Sequence, residues 1–140
     1  QVVIELLRRK LEIDNSLDLS LYIITPFTTV KDGIKKEIKN SDLYKDPRME
    51  SFISNNIGTV HTFQGKGANE VIFLLGCDHA STGAANWINN NLVNVAVTRA
   101  KYRLYVIGDK TVYENSNSIK AIIASFENKR LIINGLPVEW

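Results

Sequence analysis

The strongest constraint on this chain is a set of short segments that are apolar along their whole length rather than at alternate residues. Residues 20–24 read Ser-Leu-Tyr-Ile-Ile, and residues 70–76 carry Val-Ile-Phe-Leu-Leu at their centre. Strands of this kind need cover on both faces, as in a parallel sheet flanked by helices. Helical periods lie between and before them. Val3, Leu6, Leu7 and Leu11 repeat within residues 1–13, and Val30, Ile34 and Ile38 repeat among lysines within residues 30–38. Strand alternating with helix predicts an α/β domain built on a parallel sheet.

The remaining elements follow from the same patterns. Residues 57–60 read as a strand, and residues 92–101 as a helix feeding the strand at 102–107. Residues 118–128 read as a last helix, and residues 131–133 as one more strand. Residues 40–56, with Asn, Ser, Asp and Pro47, read as a surface connection, and residues 80–91 as a loop. No repeat or low-complexity linker divides the 140 residues, which make one domain of ordinary size. A net charge of +2 does not announce nucleic acid, so any such contact has to come from particular residues. The apolar runs are far too short for a membrane span. The single Cys77 excludes an internal disulfide and suits a reducing, cytoplasmic setting. With no initiator Met, the chain is expected to be a fragment of a larger protein.

Three polar segments could carry chemistry. In Gly58-Thr59-Val60-His61-Thr62-Phe63-Gln64-Gly65-Lys66-Gly67, the last two glycines let a backbone approach a ligand, and Thr59, His61, Thr62 and Gln64 offer side-chain donors. Groups of this sort hold a nucleic-acid backbone without reading its sequence. Composition alone equally allows an ordinary turn at Gly65-Lys66-Gly67 with His61 packed inside. In Thr98-Arg99-Ala100-Lys101, a fixed guanidinium could neutralise a transferring γ-phosphoryl group; equally, these could be solvated cations near a helix C-terminus. Thr25-Pro26-Phe27 after a strand is common turn chemistry. His61 to Gly65 and Thr25 to Phe27 both follow predicted strands, where ligands of open parallel sheets bind. Gly65-Lys66 is not a P-loop, because no glycine precedes it at the required spacing and Gly67 stands where Ser or Thr would hold magnesium. Without a P-loop, Asp78 has no metal to hold. Adjacent Cys77, Asp78 and His79 lack distant partners, so no metal site is expected.

Taken in order, these segments resemble motifs of superfamily-1B DNA or RNA helicases. Thr-Val-His-Thr-Phe-Gln-Gly-Lys (residues 59–66) is similar to motif V. Asn94-Val95-Ala96-Val97-Thr98-Arg99-Ala100-Lys101 with the following strand is similar to motif VI, and Tyr22-Ile23-Ile24-Thr25-Pro26-Phe27 to the family's strand-and-turn motif. The match covers residues 21–109, and Gly83-Ala84-Ala85-Asn86-Trp87 also resembles bacterial members, with Trp87 expected to pack.

The resemblance implies a three-layer RecA-like domain of the P-loop NTPase type: the second of the helicase's two, which lacks the P-loop itself. It implies Arg99 as arginine finger, with Gln64, Gly65, Lys66, Gly67, Thr98 and Lys101 beside the nucleotide. It implies Thr25, Pro26, Thr59, His61 and Thr62 along a single strand of DNA or RNA. ATP and Mg2+ would be held mainly by the first RecA-like domain, leaving the isolated chain inactive. The chain departs from the family at Gly67, where an acid that touches the nucleotide is usual; Glu70 is the nearest acid. The aromatic-arginine segment that stacks adenine in the family is not found here either. The alternative from another class is a RecA-like module kept only for binding nucleic acid or protein.

Overall fold

A computed structural model describes residues 2–63, 65–75, 98–108, 130–133 and 136–139. In chain order, helix α1 (Val2–Ile13) leads to strand β1 (Leu21–Thr25) and helix α2 (Thr28–Lys39). A 3-10 turn (Asp42–Lys45) and helix α3 (Met49–Asn55) precede strand β2 (Ile57–Thr59). A second 3-10 turn (Val60–Phe63) joins it to β3 (Ala68–Leu74), and β4 (Ala100–Ile107) follows. These four strands form one parallel sheet in the order β2-β1-β3-β4. A separate antiparallel pair joins β5 (Arg130–Ile133) to β6 (Leu136–Glu139). The expected parallel α/β architecture is present.

The apolar runs become β1 and β3, which are buried on both faces, whereas β4 is exposed in its first half and half-buried after it. On one face, Leu21, Ile23, Ile57 and Ile72 pack with Val3 and Leu7 of α1, Ile34 and Ile38 of α2, and Phe52 and Ile53 of α3. Alternation along β1 turns Tyr22 to the other face, where its ring stacks on Phe63 with centroids 4.4 Å apart and an interplanar angle of 26°.

Several boundaries differ from the sequence reading. Residues 40–56 are not a surface connection: Leu43, Met49, Phe52 and Ile53 are buried there. The polar residues that suggested a loop are caps instead. Ser41 Oγ accepts from the Leu43 N–H at 3.3 Å and donates to the Ile38 carbonyl at 2.7 Å. The helix predicted to run through Lys101 stops earlier, because Ala100 already opens β4 opposite Ala68 of β3 and Lys101 follows it in that strand. Its residues 92–97 lie outside the described residues, as do the expected loop at 80–91 and helix at 118–128. Strand β3 starts at Ala68 rather than Glu70, and β6 had no sequence counterpart.

Arg48 joins α1 to α3. Its guanidinium donates to the Leu11 carbonyl at 3.1 Å, to the Ser16 carbonyl at 3.1 Å and to the Asp14 carbonyl, and it is held by both oxygens of Asp46. These are carbonyls at and just past a helix end, where no intrahelical donor remains. Replacing Arg48 by Met should therefore cost about 2–3 kcal/mol in urea unfolding, since several acceptors lose a charged donor. An unchanged midpoint would show that water satisfies them equally well.

The same corner sets an acid limit. The hydroxyl and amide of Ser16, with help from Lys10, lower the Asp14 carboxyl to about 2. Arg48 likewise lowers Asp46. A carboxylate depressed in the folded state contributes stability above its unfolded pKa, about 4, and loses it as pH falls through the folded value. Chemical unfolding measured from about pH 4 down to about 2 should show stability falling, with a shallower fall in Asp14→Asn.

Candidate functional site

At the carboxyl end of the sheet, Thr25 closes β1 and sits in register with Thr59 of β2. Thr25 is fully buried, at 0% exposure, and its hydroxyl accepts from the Phe27 N–H at 3.3 Å, which fixes the turn into α2. Pro26 and Thr59 are half-buried, whereas His61 and Thr62 are exposed. The Thr59 and Thr62 hydroxyls lie 3.4 Å apart. A Cβ on Gly58 would fall 2.9 Å from the Thr62 side chain, so only glycine lets the 3-10 turn fold back so closely. Gly58 is thus a site residue that the sequence reading passed over; a glycine set just before the threonine-rich turn was its signal. The five residues expected along a nucleic-acid strand, Thr25, Pro26, Thr59, His61 and Thr62, share this end of the sheet.

Residues 60–67 then cross β1 to reach the amino end of β3, since β1 lies between β2 and β3. Parallel crossovers ordinarily take a dozen or more residues. The short path works because Val60 and Phe63 are buried against the sheet and Gly65 turns the chain at φ +79°. The Lys66 N–H closes that turn on the Phe63 carbonyl at 3.0 Å.

The second group forms at the amino end. Arg99 Nη1 donates to the Lys66 carbonyl at 3.1 Å, and the Ala68 N–H donates to the Arg99 carbonyl at 2.9 Å. A Cβ on Gly67 would lie 3.5 Å from the Arg99 carbonyl oxygen and 3.6 Å from Lys101 Cε. Lys66, Gly67, Arg99 and Lys101 are therefore neighbours, with Gly65 one turn away and exposed Thr98 preceding Arg99. Gln64 lies outside the described residues, as do Cys77, Asp78, His79 and Trp87.

Thr25 and His61 thus lie beyond the carboxyl ends of β1 and β2, whereas Lys66-Gly67 and Arg99 immediately precede β3 and β4 and so stand at the amino ends. Glu70 is no substitute for an acid at position 67. Its carboxylate is turned toward α1, 2.5 Å from Lys10 Nζ, and it also meets Tyr105 at 3.4 Å and Arg103 at 3.6 Å. The amino end thus presents cations. Among the described residues, no three His, Cys, Asp or Glu side chains come together as metal ligands, and no helix is long and apolar enough to cross a membrane.

Comparison with known proteins gives the chain's family. Residues 1–111 match the family described as an AAA domain. The chain is similar to the Regulator of nonsense transcripts 1 homolog of Neurospora crassa, 25% identical over 113 residues that cover 81% of the chain and 10% of that protein. It is similar also to Regulator of nonsense transcripts 1 of Dictyostelium discoideum, 25% identical over 120 residues, 86% of the chain and 9% of that protein. The chain thus spans about a tenth of the length of these relatives. With its parallel sheet and its motif segments in helicase order, the chain belongs to this AAA-domain family and carries the superfamily-1 helicase likeness read from its sequence.

Proposed function

We propose that this chain is the second motor domain of an ATP-dependent superfamily-1 helicase, with residues 1–140 as a single RecA-like unit. It supplies the arginine finger and part of a single-strand groove. The observation that carries this reading is the bond from Arg99 to the Lys66 carbonyl, which puts the two motif segments on one cationic end. Lys66, Arg99 and Lys101 suit the oxygens of a triphosphate. On this reading Mg2+ and most of the ATP are held by the first RecA-like domain. When bound there, the nucleotide supplies the phosphoryl group, and Arg99 neutralises charge on it. The isolated chain has no ATPase activity on this reading.

His61 and Thr62, exposed at the other end of the sheet, meet the sugar-phosphate backbone of a single strand. Buried Thr25 shapes the turn beside them. The names of the relatives refer to transcripts, which makes RNA the first nucleic acid to test. A binding-only module is the second reading, favoured by Gly67 where an acid is usual in helicases.

In the full-length parent protein, Arg99→Ala should lower stimulated ATP hydrolysis by roughly a thousandfold or more while nucleotide binding persists. Undiminished turnover would remove the finger assignment, and a parent that binds single strands without any turnover would favour the binding-only module. His61→Ala combined with Thr62→Ala should weaken single-strand binding by about 1–3 kcal/mol, read by fluorescence anisotropy, with unstimulated hydrolysis retained. Unaltered affinity would place the groove elsewhere.

A further inference from the structure

The pairing of β3 with β4 slips by one residue beside the cationic end. Ala68 stands opposite Ala100 but Glu70 stands opposite Arg103, so Lys101 and Tyr102 together face Asn69. An extra residue in one strand is a β-bulge, which bends that strand and re-aims the side chains around it. Both bulge residues are exposed, Tyr102 at 80%. Lys101 is thereby carried over Gly67. The facing strand is irregular too. Successive amides of a regular strand point to opposite neighbours, yet those of Asn69 and Glu70 both turn to Ser20, one to its Oγ at 2.9 Å and the other to its carbonyl at 3.1 Å.

Just beyond the slip, Glu70 stands where α1, β3 and β4 meet. It is only 8% exposed, and a carboxylate removed from water is tolerated only with partners that satisfy it. Those partners are Lys10 of α1, and Arg103 and Tyr105 on β4 immediately after the bulge. Moving β4 by one residue would send Arg103 and Tyr105 to the opposite face of the sheet and leave Glu70 with only Lys10 of these three partners. With that register fixed, the extra residue has to be accommodated between Arg99 and Arg103.

We propose that Glu70 is a positioning residue for the phosphate-facing cations. It locks β4 beyond the bulge, and so sets where Lys101 and the Arg99 backbone stand against Lys66 and Gly67. The link is short, because the Arg99 carbonyl is bound by the Ala68 amide, two residues from Glu70. Glu70 itself touches no nucleotide; it acts through β4. The inference rests on the reading of Arg99 and Lys101 as phosphate ligands.

The test is steady-state ATP hydrolysis by the full-length parent protein at saturating single strand. Glu70→Gln should lower kcat about tenfold, with KM for ATP and single-strand affinity changed by less than about twofold, because a displaced cation is felt in the transition state. Lys10→Met removes the α1 partner but leaves the tie between β3 and β4, so it should lower the thermal midpoint and leave kcat unchanged. Should Glu70→Gln fail to fold, Arg103→Met carries the test, since the Arg103 side chain is 69% exposed and its loss should also lower kcat. If Glu70→Gln and Arg103→Met hydrolyse ATP like the parent, or Lys10→Met loses as much kcat as Glu70→Gln, the positioning role is overturned. Arg99→Ala in the same assay separates the failures: turnover kept there sinks the phosphate reading itself, whereas turnover lost there and kept in Glu70→Gln sinks this inference alone.

Discussion

A chain leaving the carboxyl end of β2 has to cross β1 and arrive at the amino end of β3 within residues 60–67, and the site depends on that crossing. The usual solution is a helix laid over the sheet. Here a 3-10 turn buries Val60 and Phe63, the Phe63 ring stacks on Tyr22, and Gly65 reverses the chain in a conformation most residues resist. The apolar residues of the segment anchor it, and its polar residues are left for the two ends. His61 and Thr62 come out where β2 finishes; Lys66 and Gly67 come out where β3 begins. A single segment therefore reaches both ends of the sheet because its middle is core.

Charge is sorted by the same geometry. Cations collect at the amino end because Lys66, Arg99 and Lys101 all precede or open a strand there. Among the described residues, the nearest carboxylate in sequence, Glu70, is turned toward α1, where it meets Lys10, Arg103 and Tyr105. An acid left among the cations would neutralise them and weaken any hold on an anion. Turning Glu70 inward keeps the end electropositive and uses the carboxylate to join α1, β3 and β4.

How much of this was legible in the sequence depended on how local the cause was. The strands β1 and β3 were plain because their centres are apolar without alternation, and α1 and α2 because their apolar residues keep a helical period. Helix α3 was missed: Met49, Phe52 and Ile53 are correctly spaced, but they lie among Ser, Asn and Asp residues whose side chains cap and staple helices as readily as they make loops. The segments around His61 and Arg99 were identified from their residue strings. Their division between two ends was not, since it follows from strand order, with β1 inserted between β2 and β3. The bulge and the partners of Glu70 were also invisible, because Lys10, Arg103 and Tyr105 come from separate elements and meet only once the register is set.

The division has a mechanical consequence on the proposed reading. The two ends are separated by roughly the length of a five-residue strand, about 15 Å, and what lies between them is close-packed core. Phe63, Ile23, Ile24, Val71 and Phe73 are almost wholly inaccessible to water. Core of that density transmits displacement rather than absorbing it. A push on Arg99 by a nucleotide would then move His61 and Thr62 with the whole sheet and would not change their spacing within it. The grip on a strand would change by movement of this domain against another, as in other closures of packed bodies around a ligand. The buried crossover would be the part that makes the two surfaces move as one.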